Sequence, residues 1–259
     1  MKIIVCIKQV PNTNVIKINP VTGTLIRDGV PSIMNPDDKG GLEMALRLKD
    51  QLGAHVTVIT MGPPQADAIC REAFAMGADR AIILSDRRFA GADTLATSYA
   101  LAGALKTLDY DLIICGRQAI DGDTAQVPVS LAQHLDLPQV TYVTDLKVDG
   151  KLCTVTKETE EGHQVLQVET PCVLTVLATA NQPRYMSVKG IMEAFDKEVE
   201  VWNADQIDVD QSRLGLSGSP TRVKKSFTKP QKTPGQLYEV DAEEAVELIV
   251  SKLKEKFII

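Results

Sequence analysis

Short apolar runs alternate with amphipathic segments from Lys2 to about residue 136, and this alternation narrows the possible folds more than any other feature of the chain. Lys2 to Val10, His55 to Thr60, Arg80 to Leu84 and Asp111 to Cys115 read as buried strands. A helix opens at Asn35-Pro36, with Asn as N-cap and Pro in the first turn, where its missing donor costs nothing; Gly53 stops it. A second helix follows Met61-Gly62-Pro63-Pro64 and runs to Met76, and a third spans about Asp93 to Leu108. A fourth runs from Thr124 to Leu135, with Asp123 as its cap. The order β-α-β-α-β-α-β-α requires a parallel sheet with right-handed crossovers and helices on both faces. The expected class is therefore α/β, with a mostly parallel, doubly wound, Rossmann-like sheet. Val15 to Ile26 reads as a hairpin about the Asn19-Pro20-Val21-Thr22-Gly23 turn.

Beyond Leu137-Pro138 the pattern changes. Val140 to Leu146, Lys151 to Lys157, Gln164 to Glu169 and Cys172 to Leu177 read as antiparallel or edge strands, an extension covering about 139–178. A short helix follows at about Val188 to Asp196. Residues 203–240 are rich in Pro, Gly, Ser, Lys and Asp without periodicity, and Asp241 to Phe257 has the spacing of an amphipathic helix capped by Asp241. The expected division is an α/β domain over 1–202 and a C-terminal arm over 203–259 that wraps around a partner chain.

Composition excludes several functions. With 259 residues, a net charge of -6 and no basic stripe, nucleic acid is not an expected partner. No apolar run reaches the length of a membrane span. The apolar start Met1 to Ile7 is short, β-branched and without a small-residue cleavage site; it reads as a strand, and the expected location is cytoplasmic. Five cysteines, with no C-x-x-C pair, support neither an iron–sulfur cluster nor structural zinc. Cys6 and Cys115 are expected as small buried residues within strands. Three scattered histidines add no metal-binding pattern.

The segment Gly116 to Val127, Gly-Arg-Gln-Ala-Ile-Asp-Gly-Asp-Thr-Ala-Gln-Val, lies where a strand hands over to a helix at the carboxyl edge of the expected sheet. Helix N-termini there offer unpaired N–H groups to phosphate oxygens. The segment reads as a nucleotide cradle, a catalytic acidic pair or a capped loop, with the cradle favoured. Gly116 and Gly122 allow close approach or positive φ, and Asp123 caps while Asp121 accepts a ribose or ring donor. Asp93 and Thr94, with Thr97 one turn on, open another helix after a strand. Asn35 and Met61 fall at further junctions that converge on the same edge. The chain has no P-loop, no G-x-G-x-x-G, no S-G-G-x-D-S and no G-x-S-x-G, and no catalytic acid, base or nucleophile is nominated.

Taken together, several blocks resemble the β subunit of electron-transfer flavoprotein, over nearly the whole chain. They are Val5 to Pro11, Met34 to Pro36, Met61 to Pro63, Ala75 to Arg80, Gly116 to Asp121, and Pro183 to Tyr185 with Ile191 and Met192. The resemblance implies a heterodimer with an α subunit, a redox FAD shared with it, and a second adenine nucleotide in the β sheet. That nucleotide is AMP in housekeeping members and a second FAD in members from anaerobes, which take hydride from NADH and bifurcate the electrons. Asp121 to Val127 and Gly91 to Thr94 look like the bifurcating type. The implied acceptors are ferredoxin or flavodoxin and, through the α-subunit FAD, a flavin-dependent dehydrogenase of acyl-CoA or hydroxy-acid type. Carried over by position, the implied nucleotide site is Cys6, Ile7, Asn35, Met61, Thr94, Thr97 and Asp123, Thr124, Ala125, Gln126 and Val127. Asp93, Gly116, Asp121 and Gly122 complete it. The loop about 184–192 resembles the family's recognition loop, with Arg184, Tyr185, Val188 and Ile191 as docking residues and Val188 as the anchor. Three alternatives stay open: a non-bifurcating β subunit holding AMP, a stand-alone adenine-nucleotide sensor, and a small-molecule hydrolase.

Overall fold

The computed structural model describes residues 1–12, 31–224 and 235–259. The expected hairpin at Val15 to Ile26 lies outside them. In chain order the elements are β1 (Lys2–Cys6), β2 (Gln9–Pro11), β3 (Ser32–Met34), α1 (Pro36–Leu52), β4 (His55–Met61), α2 (Asp67–Met76), β5 (Arg80–Leu84), α3 (Thr94–Leu105) and β6 (Leu112–Gly116). There follow α4 (Val127–Leu135), β7 (Gln139–Asp149), β8 (Leu152–Thr159), β9 (Gly162–Glu169), β10 (Cys172–Val176), α5 (Val188–Asp196), β11 (Val199–Trp202) and α6 (Ala242–Glu255).

Nine strands form one sheet in the order β11-β5-β4-β1-β6-β10-β7-β8-β9. The pairs from β11 through to β10 and β7 are parallel, and β7-β8 and β8-β9 are antiparallel. From β1 the chain steps outward to β4 and β5, then returns past β1 to β6. The direction of winding therefore reverses between β1 and β6, which opens a crevice at the carboxyl ends of those strands. α1, α2 and α5 cover one face, burying Leu42, Leu46, Ile69 and Phe74. α3 and α4 cover the other, burying Leu101, Leu105 and Leu131.

Three expectations are corrected. The single first strand, Lys2 to Val10, divides after Cys6, and β2 turns away to pair antiparallel with β3. The backbone of Lys8 explains the break: its N–H donates to Asp38 (2.8 Å) and its carbonyl accepts from the Asn35 N–H (2.9 Å), so neither bonds to the main sheet. The run Cys172 to Leu177 is not an antiparallel or edge strand. β10 lies in the parallel interior between β6 and β7, with every residue buried. Its unbroken Cys-Val-Leu-Thr-Val is the pattern of a strand covered on both faces. α4 begins at Val127 rather than Thr124, because Pro128 has no N–H for the bond an earlier start would require and fits only the first turn.

The extension leaves the body through β7, whose first half pairs with β10 and whose second half pairs with β8, with a register shift between Val143 and Asp145. β9 is the outer edge and is exposed along nearly all its length. The first compact unit runs Met1–Ser226, beyond the expected boundary at 202. Residues after β11 explain this: Ala204, Ile207 and Leu214 are buried against the α3 side, and the Asp208 N–H donates to the Gly103 carbonyl (3.2 Å). The second unit, Phe227–Ile259, contains α6, where Asp241 caps by accepting from the Glu244 N–H (3.0 Å).

Gly116, the last residue of β6, meets the start of α1. A Cβ there would lie 2.6 Å from the Asp38 backbone nitrogen and 2.7 Å from the Asp37 carbonyl carbon. The Asp38 carboxylate lies closer still, and the backbone atoms cannot swing aside, so Gly116→Ala is expected to cost at least about 1–3 kcal/mol. Urea unfolding of the two chains checks this; equal midpoints would show that α1 tolerates the displacement.

Candidate functional site

Loops gather at the carboxyl edge on either side of the β1–β6 crevice. Asn35 precedes α1 at the N-cap position, yet its side chain makes no cap bond, contrary to the expected role. It is fully buried and spans the loop after β6, with Nδ2 donating to the Gln118 carbonyl (2.8 Å) and Oδ1 accepting from the Ile120 N–H (3.1 Å). Asp38, one turn on, accepts from the Lys8 N–H at one oxygen and from the Gly116 N–H (3.1 Å) at the other. Asp37 accepts from the Ala178 N–H (3.0 Å) and faces Arg117 (3.3 Å). These two buried acids in the first turn of α1 favour the positive end of its dipole. They tie the ends of β1, β6 and β10 to one helix.

The loop itself has a fixed half and an open half. Gly116 to Ile120 is held by Asn35 and Asp38. From Gly122 onward the chain is mostly exposed, and Asp123 and Ala125 take positive φ of 52° and 53°. Among the described residues, the backbone N–H groups of Thr124, Ala125, Gln126 and Val127 have no acceptor. Gly122 has neither a near neighbour nor a positive φ, so its openness, rather than its backbone freedom, is what the structure uses. Asp123 does not cap α4, since Gln126 occupies that position. Its carboxylate instead accepts from the Gln118 side chain.

The other expected residues meet this loop from neighbouring elements. Thr94, first residue of α3, donates its hydroxyl to Gln126 Oε1 (2.8 Å). Asp93 caps α3 through the Leu95 and Ala96 N–H groups (both 3.0 Å), while its other oxygen accepts from the Thr221 N–H (3.1 Å). Thr97 is half-buried one turn into the helix. Cys6 and Met61 end β1 and β4, both half-buried, and Ile7 is buried with its N–H on the Ile59 carbonyl (2.9 Å). Lys8, not anticipated for the site, reaches Asp121 (2.6 Å) across the crevice. Asp38 and Gln118 were also missed. The only signal for Asp38 was the acidic pair after Asn-Pro.

The residues expected to dock a partner divide in two. Tyr185 is 94% exposed and Val188 77%, and Ile191 is exposed to a lesser degree. Arg184 is turned inward instead: its backbone N–H and guanidinium bond to buried Glu43 (3.0 and 2.9 Å), and it also reaches Asp50 (2.8 Å). Those carboxylates raise its pKa. Met192 and Phe195, missed from the sequence, are exposed at helical spacing from Val188 on α5.

A doubly wound sheet with its loops gathered at the switch point is of the class that receives nucleotides there. The electron transfer flavoprotein domain matches residues 22–207. The chain is 58% identical to the electron transfer flavoprotein subunit beta of Clostridium acetobutylicum, end to end in both. It is 52% identical, again over the full length of both, to subunit CarD of the caffeyl-CoA reductase–Etf complex of Acetobacterium woodii. It is 45% identical over the full length of both to the acryloyl-CoA reductase electron transfer subunit gamma of Anaerotignum propionicum. This chain belongs to the electron-transfer flavoprotein β-subunit family. Among the described residues no helix is long and apolar enough to cross a membrane, and no group of three or more His, Cys, Asp or Glu is placed to hold a metal ion.

Burial pushes Asp38 from 3.8 up to about 7, against the lowering effect of the Asn35, Lys8 and Gly116 bonds. The folded chain therefore keeps a proton that the unfolded chain releases near pH 4. Asp38's contribution to stability falls as pH rises from about 4 to about 7, and the penalty is complete above that. Asp38→Asn removes the titration but sets an amide donor against one N–H, for a cost of about 1–3 kcal/mol at pH 5. The stability gap between wild type and variant is expected to narrow between pH 5 and pH 8. Urea midpoints at both pH values check it, and a constant gap would show that Asp38 does not titrate in this window.

Proposed function

We propose that this chain is the β subunit of a heterodimeric electron-transfer flavoprotein that holds a second FAD at the β1–β6 crevice and serves electron bifurcation from NADH. One observation carries the reading: four consecutive backbone N–H groups, Thr124 to Val127, have no acceptor among the described residues at the start of α4, beside the open start of α3. That donor set fits a diphosphate, since unpaired N–H groups and the positive helix end both favour anionic oxygens. Small side chains at Thr124 and Ala125 leave the backbone accessible, and Thr94 and Thr97 add hydroxyls. The ends of β1 and β4, at Cys6, Ile7 and Met61, line the remainder with Asn35 behind them.

When bound, a flavin supplies hydride acceptance from NADH and release of single electrons, to ferredoxin or flavodoxin and, through the α-subunit FAD, to a dehydrogenase of acyl-CoA or hydroxy-acid type. The chain's own residues bind and orient. Asp93 keeps the start of α3 in register, Gln126 links it to the α4 loop, and Lys8 holds Asp121 beside the crevice. No proton transfer by a side chain is required. The C-terminal segment, including α6, is assigned to wrapping the α subunit, and the exposed Tyr185 and Val188 to docking the dehydrogenase.

Nucleotide extracted from the co-expressed heterodimer is expected to be two FAD. One FAD with one AMP would leave a simple carrier in place of the bifurcating reading. Val188→Asp puts a charge into the docking ridge and is expected to weaken association with the partner dehydrogenase at least tenfold while leaving nucleotide content unchanged. Titration by light scattering or biosensor, beside cofactor analysis, checks both halves; undiminished affinity would move docking elsewhere.

A further inference from the structure

Cys6 is the last residue of β1 and Cys115 the last but one of the adjacent parallel β6, and the two are Cα partners in the β1–β6 register. Partners in a parallel pair project to the same face, and both side chains pack on the α3–α4 side of the sheet. Cys115 is buried. Cys6 is half-exposed and immediately precedes the residues that form the crevice. The two sulfurs sense each other: Cys6 beside it, and then burial, push the Cys115 thiol well above its ordinary value. The other three cysteines differ in accessibility. Cys70 is buried, which raises its thiol to about 12, and Cys153 and Cys172 neighbour each other but are both fully enclosed.

We propose that Cys6 and Cys115 form a reversible disulfide beneath the crevice, so that the switch point of the sheet is a site of thiol oxidation. Neighbouring strands lie about 4.8 Å apart, inside the roughly 4.4–6.8 Å that a disulfide spans between Cα atoms. The Cβ atoms must still be drawn together from strand spacing to about 3.8 Å, and a bond formed under such strain is readily reduced.

The oxidant is a low-molecular-weight disulfide, for which glutathione disulfide is the probe. The Cys6 thiolate attacks one of its sulfurs, a mixed disulfide forms on Cys6, and the first glutathione leaves as thiolate. Cys115 then gives up its proton and attacks the Cys6 sulfur, and the second glutathione leaves. Two protein thiols and one glutathione disulfide become one protein disulfide and two glutathiones. In the mixed disulfide Cys6 no longer offers the thiol that hydrogen-bonds Cys115, which removes the first cause of Cys115 holding its proton. The step does not depend on which nucleotide the crevice receives.

Incubating the full-length protein with glutathione disulfide, alkylating the remaining thiols and mapping peptides by mass tests this. The expected product is a Cys6–Cys115 peptide pair two hydrogens lighter than the free thiols and separated by dithiothreitol. Cys70, Cys153 and Cys172 are expected to be alkylated only after unfolding. Cys6→Ser and Cys115→Ala should each abolish the pair, and Cys115→Ala should leave glutathione on Cys6. Wild-type protein that stops at the mixed disulfide, or that keeps both thiols free at high glutathione disulfide, overturns the proposal.

Discussion

One carboxylate organises the functional edge of this protein. Asp38 enters the first turn of α1 and accepts the Lys8 and Gly116 N–H groups, the second residue past β1 and the last of β6. Those donors stand just beyond the end of β1 and at the end of β6, the two strands between which the winding of the sheet reverses. Without an acceptor each would be a buried, unpaired N–H at the point where the crevice opens, at a cost of about 1–3 kcal/mol apiece. The positive end of the α1 dipole lowers the cost of placing an acid there, but burial still dominates, and the group holds its proton up to about pH 7. Gly116 has to be glycine because the helix start that delivers Asp38 occupies the space of a Cβ.

That anchoring divides the neighbouring loop. Asn35 and Asp38 fix Gly116 to Ile120, so the following residues leave from a defined position. Asp123 and Ala125 then hold positive φ, a conformation that costs of order 1 kcal/mol in a non-glycine residue and persists only when its surroundings enforce it. Two contacts supply the enforcement: Gln118 on the Asp123 carboxylate and Thr94 on Gln126. Donors held in place before a ligand arrives lose little entropy on binding, so under the proposed function the strain is offset where the diphosphate is gripped.

The strand and helix alternation was legible because each of those segments carries its own period. Where structure and expectation differ, either a distant partner overrides a local signal or a second local signal outweighs the first. Asn35 has the sequence context of a cap, but its side chain is taken by Gln118 and Ile120, more than eighty residues away. Asp123 likewise sits one residue before the expected helix, yet Pro128 sets a later start. Cys172 to Val176 follows three strands with alternating or exposed faces, and its continuous apolar character marks it instead as an interior strand. Lys8 and Asp38 were invisible as a pair because nothing in a sequence states that two loops thirty residues apart share a carboxylate. The residues expected to dock a partner show the same limit: Tyr185 and Val188 are exposed, whereas Arg184 serves the interior.

Arg184 explains why the proposed docking ridge can be a rigid surface on a helix packed against α2. Its bonds to Glu43 fasten the segment before α5 to α1. At the other end of α5, Arg71 of α2 donates to the carbonyls of Ala194 (2.7 Å) and Lys197 (2.5 Å), and Lys197 donates to the Ala78 carbonyl (2.9 Å). Between these anchors Gly190 lets α5 approach the Ala75 carbonyl, which a side chain there would displace. Exposed Val188, Met192 and Phe195 therefore project from a helix fixed at both ends and in the middle. Apolar side chains on so constrained a base need little further ordering when a partner covers them, so most of the burial free energy remains available for association. The crevice and the ridge are thus built alike, from exposed groups whose positions are set by buried charged side chains behind them.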